Sequence, residues 1–151
     1  MAPKIRAARP TDLLRLLRLV NAYYDYDSIA YSERSIRPAL SQLLRDRRLG
    51  RVWVAEDGRA LTAYAILAYS YDLEFGGREG IVTDLFVTAR RRNLGYGKLL
   101  LSTIGRYCKR AAIYEIEVVV TRHNRAALAF YKALGFRDRR RSVLTLDLNT
   151  A

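Results

Sequence analysis

The sequence predicts an α/β domain: a mixed sheet of six to seven strands flanked by about four helices, in one unit spanning all 151 residues. Three observations carry that prediction. β-rich runs and helical periodicities follow one another in the order β-α-α-β-β-β-α-β-α-β. Half of the residues are apolar, enough for one core and too few for two. No internal repeat and no Gly/Ser/Pro-rich linker divides the chain. Hairpin signals in the middle argue for antiparallel pairing, and helices crossing between later strands argue for parallel pairing.

Lys4 to Ala8 reads as the first strand. Thr11 follows as a helix N-cap, with Asp12 in the first turn beside the exposed N–H groups. Leu13, Leu14, Leu16, Leu17 and Val20 recur at helical spacing, and this helix is expected to fray near Tyr23 and Tyr24. A second helix is expected from about Ser35 to Arg48, with Pro38 in its first turn and Gly50 past its end. Arg51 to Glu56 and Ala60 to Ser70 are β-rich runs joined by Asp57-Gly58, a strong hairpin signal. Tyr71 to Gly80 reads as a Gly-containing loop, and Ile81 to Val87 as the next strand. Gly97 to Ala112 has a helical apolar face through Leu100, Ile104, Tyr107/Cys108 and Ala111. Ile113 to Val120 is the most β-prone segment of the chain. Ala126 to Leu134 is helical and stops at Gly135. Ser142 to Leu148 alternates like an edge strand, and one more strand is conceivable near Phe136.

Composition narrows the function classes. Cys108 and His123 are the only residues of their types. Intrachain disulfides, Cys-rich zinc modules and His-dependent triads therefore lack material, and no metal is expected. No apolar stretch approaches a membrane span, and Met-Ala-Pro-Lys has no apolar leader. A soluble, cytoplasmic protein is expected, with no membrane partner. The net charge of +12 is unevenly distributed: residues 90–141 hold 14 Lys/Arg against three acids, whereas the rest of the chain is nearly balanced. Such a field attracts polyanions, phosphates foremost, or it is simply a solvated basic surface.

Two segments carry chemistry. Arg92-Asn93-Leu94-Gly95-Tyr96-Gly97-Lys98 lies between a strand and a helix. Its two glycines let the backbone turn tightly and bring N–H groups, with the helix dipole, to a pyrophosphate. It is neither a P-loop nor a GxGxxG fingerprint, and by itself a glycine turn is common. The second segment runs from Asn124 at an expected N-cap, through Phe130 and Tyr131, to Gly135 and Phe136. Alone it reads equally well as an amphipathic helix with a glycine stop.

Together the two segments resemble the GNAT superfamily of acetyl-coenzyme A-dependent N-acetyltransferases. Arg92, Gly95 and Gly97 match its Arg/Gln-x-x-Gly-x-Gly/Ala loop. Asn124, Ala127, Phe130, Tyr131, Gly135 and Phe136 match its later helix. The resemblance spans roughly Ile5 to Leu148, and the loop around Phe75-Gly76-Gly77 and the strand Thr83 to Val87 look most like diamine acetyltransferases. It implies acetyl-CoA as co-substrate, held by Leu85, Phe86 and Val87 at its acetyl end and by Arg92, Asn93, Leu94, Gly95, Tyr96, Gly97 and Lys98 at its phosphates. It implies a primary amine of a small molecule or peptide as acceptor, attacked directly in a ternary complex, with a homodimer as one mode of assembly. Tyr131 is the implied acid for the leaving sulfur, its alternative being a packed structural Tyr. Asn124 would hold the pantetheine or pyrophosphate arm, or only cap its helix.

The sequence departs from the pattern at two places. Some relatives carry Glu at Thr83, and Thr cannot act as a base. Asp84, Glu74 and a water relay are then the alternatives, although Asp84 points to the other face unless a bulge re-aims it. Asn93 replaces a common Gly. Tyr23 to Asp27 reads as an amine pocket or as a solvated loop. Two other function classes compete: a basic nucleic-acid-binding module, for which no recognition motif is visible, and a catalytically silent acetyl-CoA-binding protein.

Overall fold

The computed structural model describes residues 2–150. The chain falls into two compact units, Met1–Val119 and Val120–Ala151. The first contains β1 (Lys4–Ala7), α1 (Leu13–Tyr26), α2 (Glu33–Arg45), β2 (Gly50–Asp57), β3 (Ala60–Asp72), β4 (Gly77–Val87), α3 (Tyr96–Arg110) and β5 (Ile116–Val118). Its sheet has the order β1-β2-β3-β4-β5, antiparallel throughout except for the parallel β4–β5 pair. The second unit contains α4 (Arg125–Ala133) and a 3-10 turn at Leu148–Thr150. The fold is a mixed α/β architecture with four helices, as expected, but with five strands in place of six or seven.

The missing strands have a physical reason. Ser142 to Leu148 has the alternation of a strand, yet no ladder forms among the described residues, because a strand exists only where a partner offers its N–H and C=O groups. No strand forms near Phe136 either among the described residues. The opposite happens between residues 71 and 80. There β3 continues to Asp72, a 3-10 turn at Leu73–Phe75 reverses the chain, and β4 begins at Gly77. Gly76 makes that reversal short by adopting a left-handed φ of 77°. Most of the expected loop is therefore sheet.

Before α1, Pro10–Asp12 form a 3-10 turn, so Asp12 rather than Thr11 stands at the helix start. The Asp12 carboxylate is buried. It accepts from the Arg9 N–H at 2.8 Å and from Arg6 at 2.8 and 3.0 Å, and is also bonded by Arg15. Arg6 holds its carboxyl well below the usual range, against the opposing effect of burial.

α1 and α2 cover one face of the sheet. Leu16, Leu17 and Val20 of α1 and Leu40 of α2 bury against Val52, Val54, Tyr64, Ile66 and Phe86. Full burial of a side chain such as Leu16 is worth about 1.5–3 kcal/mol. α1 does not fray at Tyr23, because that ring packs edge-on to Tyr64 and tilted against Phe86. α3 covers the other face, where Tyr107 packs on Trp53 at 5.3 Å. Alternation along β2 sets Trp53 opposite to Val52 and Val54.

Candidate active site

The site begins with one surplus residue in β4. Val87, Phe86, Leu85 and Asp84 pair with Ala63, Tyr64, Ala65 and Ile66 of β3, but Leu67 then pairs with Val82. Thr83 is left over, as in a β-bulge. In a regular strand Val82 and Asp84 would share a face. Here Val82 pairs with Leu67, whereas Asp84 pairs with Ile66 and joins Tyr64, Ile66 and Phe86 on the α1/α2 face. Asp84 thus keeps ordinary alternation with Phe86, and it is Val82, on the other side of the surplus Thr83, that is turned to the opposite face.

The same irregularity coincides with the end of the next ladder. β5 pairs with Gly80, Ile81 and Val82, and no further. The Thr88 N–H donates to Thr62 on β3 at 2.9 Å, so two-residue alternation turns Phe86 and Asp84 toward β3 as well. Leu85 and Val87 consequently direct their backbone groups toward the β5 side, where that ladder has already ended. The Val87 carbonyl accepts from Arg92 Nε at 3.0 Å, while the guanidinium lies 4.2 Å from the Tyr26 ring centroid. Arg92, expected at the phosphates, is thus stacked on α1 and tied to the strand.

Beyond β4 a 3-10 turn at Ala89–Arg91 leads to the loop before α3. Asn93 and Gly95 both adopt left-handed φ, 61° and 86°, and Gly95 caps α3. Asn is among the few side chains that tolerate this region, so it can stand where a Gly is common. Tyr96, Gly97 and Lys98 then occupy the first turn, whose N–H groups have no acceptor within the helix. The backbone there suits an anion. The Tyr96 side chain does not: its ring is buried, and its hydroxyl donates to both Asp57 oxygens, at 2.8 and 3.0 Å. Arg91 Nε and Thr62 Oγ1 bind the same carboxylate at 3.0 and 2.9 Å. Burial raises the Asp57 pKa, but the bonds from Tyr96, Arg91 and Thr62 outweigh it and hold the group below its ordinary value. Asp57 thereby pins the cradle to the β2–β3 hairpin. Sequence reading had only its turn role; the spacing of 39 residues to Tyr96 carries no local signal.

Asp84 sits in a pocket of about 150 Å³ between α1, α2 and the sheet, with Val20, Tyr24, Leu40, Leu43 and Ile66 in its lining. Tyr64 Oη donates to Asp84 Oδ2 at 2.8 Å. Burial raises the Asp84 pKa, opposed by hydrogen bonds from Tyr64 and Thr83. Burial and then the Asp84 charge push the Tyr24 phenol up. Tyr23 to Tyr26 form the end of α1, not a solvated loop, and Tyr24 faces the pocket. Glu74 lies in the 3-10 turn at the far end of the β3–β4 hairpin and is not brought to Asp84. Burial raises the Cys108 thiol to about 11, which suits a packed side chain and not a nucleophile.

In the second unit, Asn124 caps α4, its side chain accepting from the Ala127 N–H at 3.1 Å. Tyr131 packs against Phe130 and Phe136 at 5.2 and 5.3 Å, and burial pushes its phenol up to about 12. Arg122 donates to Ser142 Oγ at 3.3 Å. Among the described residues no cluster of three His, Cys, Asp or Glu side chains could hold a metal ion, and no helix is long and apolar enough to cross a membrane.

An opened strand edge leading to a helix-terminal cradle fits a donor with a reactive carbonyl at one end and phosphates at the other, as in a thioester of coenzyme A. The chain belongs to the Acetyltransferase (GNAT) family, which it matches over residues 14–136. Among solved structures it is similar to an integron cassette protein from the mobile metagenome of Cole Harbour Salt Marsh, at 27% identity and a TM-score of 0.84, covering 95% of this chain and 90% of that one. A possible acetyltransferase from Clostridium difficile 630 shares the fold at 19% identity and a TM-score of 0.85, covering 98% and 99% of the two chains. So does a predicted acetyltransferase from Clostridium acetobutylicum solved with acetyl-CoA, at 21% identity and a TM-score of 0.81, covering 99% and 98%. Membership of the family implies acetyl transfer from acetyl-CoA.

Proposed function

We propose that the chain transfers the acetyl group of acetyl-CoA to a primary amine by direct attack in a ternary complex, with Asp84 as the base. The observation that carries this reading is the half-buried Asp84 carboxylate, placed on the α1/α2 face beside Phe86 and immediately before the open strand edge of Leu85 and Val87. Acetyl-CoA supplies the activated carbonyl. Leu85 and Val87 N–H groups are aimed at that edge and would polarise the carbonyl without any side chain. The first-turn N–H groups of α3 would hold the phosphates.

Asp84 accepts one proton from the incoming ammonium, leaving the nitrogen lone pair free to form the amide bond. A carboxylate whose pKa is raised toward neutrality is a better match to that task than an ordinary surface acid. Tyr64 orients the carboxylate through its 2.8 Å bond and, pushed far above its ordinary pKa mainly by burial, stays a neutral donor. Tyr131 is the proposed acid: its phenol gives a proton to the departing sulfur as the C–S bond breaks and regains one from the nitrogen. The test is thiol release from acetyl-CoA with a panel of primary amines, beside a melting curve with and without acetyl-CoA. Acetyl-CoA should raise the melting temperature and at least one amine should release thiol. Stabilisation without thiol release from any amine would make the protein a silent binder.

A further inference from the structure

Resting on that reading, we propose that the acceptor is a monoamine with one apolar tail about the size of a benzene ring, its ammonium at Asp84 and its tail in the pocket between α1, α2 and the sheet. The lining supports a tail of that kind. Val20, Ile36, Leu40, Leu43 and Ile66 present hydrocarbon, and the Tyr24 phenol is the one neutral polar group among them. Asp84 is the sole charged side chain in the lining. The pocket thus offers one partner for one cation, and nothing for a second.

Size points the same way. The pocket, open to solvent beside the exposed Ala39, has a volume of about 150 Å³, and an enclosed apolar cavity of about that volume accepts benzene. A diamine of similar length would bring its second ammonium along a lining that holds no second acid, where a charge without a partner is disfavoured. A peptide acceptor would bring several amide groups to the same wall, where the Tyr24 phenol is the one neutral polar side chain to meet them. The diamine-like features of the Phe75 to Gly77 loop do not bear on this wall, because that loop lies at the opposite end of the β3–β4 hairpin from Asp84.

The experiment measures thiol release from acetyl-CoA by the full chain, comparing kcat/KM for ethylamine, butylamine, phenethylamine, butane-1,4-diamine and a short lysine peptide. Each methylene that enters the pocket should raise kcat/KM by about fourfold, until the pocket is full. Butylamine should exceed butane-1,4-diamine by at least about a hundredfold. Ala39 lies on α2 at the pocket, with an exposed side chain, so Ala39→Phe partly fills the space without entering the core. In that variant the preference for phenethylamine over ethylamine should fall at least about tenfold. A diamine or peptide preferred over butylamine, or a flat response to tail length, overturns this proposal and leaves acetyl transfer standing. Silence with every amine overturns acetyl transfer and this proposal together.

Discussion

Replacing Asp84 by Asn separates the catalytic reading of this residue from a structural one, because the two predict opposite pairs of results. Asn keeps the shape, and its side-chain oxygen can still accept the 2.8 Å bond from Tyr64. Only the charge and the basicity are lost. General bases contribute about 10²–10⁴-fold, so turnover should fall at least about a hundredfold. Acetyl-CoA affinity should change little, since on this proposal the α3 N-terminus, and not Asp84, would hold the phosphates. Stability should move the other way. The Asp84 pKa is raised in the folded chain, chiefly by burial, so the ionised form is disfavoured there relative to the unfolded chain. That penalty is absent below the unfolded pKa of about 3.9, grows as pH rises through the folded value, and is complete above it. At pH 8 the Asn variant should therefore melt higher than the parent, and its melting temperature should lose the decline seen in the parent as Asp84 ionises. The rate of the parent should rise with pH through the same interval, and the variant should lack that limb. Single-turnover thiol release and thermal melting across pH 4–9 measure both. A variant within threefold of the parent in rate, or one that melts lower at pH 8, refutes the base assignment.

Gly97→Glu places a carboxylate among the first-turn N–H groups where phosphates are expected, and should abolish acetyl-CoA-induced stabilisation while the apo melting curve stays near that of the parent. Asp57→Asn weakens the pin on Tyr96 and Arg91; the KM for acetyl-CoA should rise by about tenfold through misplacement of the cradle, with a smaller change in kcat. Because the Asp57 pKa is depressed in the folded chain, its stabilisation is present above the unfolded pKa of about 3.9 and lost as pH falls through the folded one, so parent and variant should converge in melting temperature as pH falls below the unfolded value. Tyr131→Phe removes one hydroxyl and keeps the packing on Phe130 and Phe136; single-turnover transfer should fall at least about a hundredfold with acetyl-CoA affinity retained, and a rate within threefold of the parent rejects the acid role.

What was legible in the sequence is what depends on neighbours in the chain. The Asp57-Gly58 turn, the glycine-bearing loop ahead of α3 and the Asn124 cap all rest on local backbone preferences, and all three are found. β-rich runs likewise identify every strand of the first unit, though not its length, whereas the alternation of Ser142 to Leu148 finds no partner. What escaped is set by partners far along the chain. The pairing of Ile66 with Asp84 and of Leu67 with Val82 decides where the bulge falls, and no feature of residues 81–87 alone dictates it. Ile113 to Val120 was the most β-prone run, yet only Ile116–Val118 forms strand, because the ladder on β4 stops at Val82. The place of Tyr96 in the loop predicts a cofactor contact; its side-chain partner, Asp57, lies on a different hairpin.

The surplus residue also shows why this strand can be both core and active site. Val82 pairs with Leu67 opposite the α1/α2 face, while Phe86 packs on the other side with Tyr64 and Tyr23. A strand of strict period two cannot satisfy both, since residues 82 and 86 would then point the same way. One extra residue between them resolves the conflict. Asp84 lies on the Phe86 side of that extra residue, where it meets the Tyr64 hydroxyl and a largely apolar pocket. Packing on the two faces of the sheet therefore demands the bulge irrespective of chemistry. The proposed base takes its face from Phe86 by alternation, and its orientation is as rigid as the core in which Phe86 is packed.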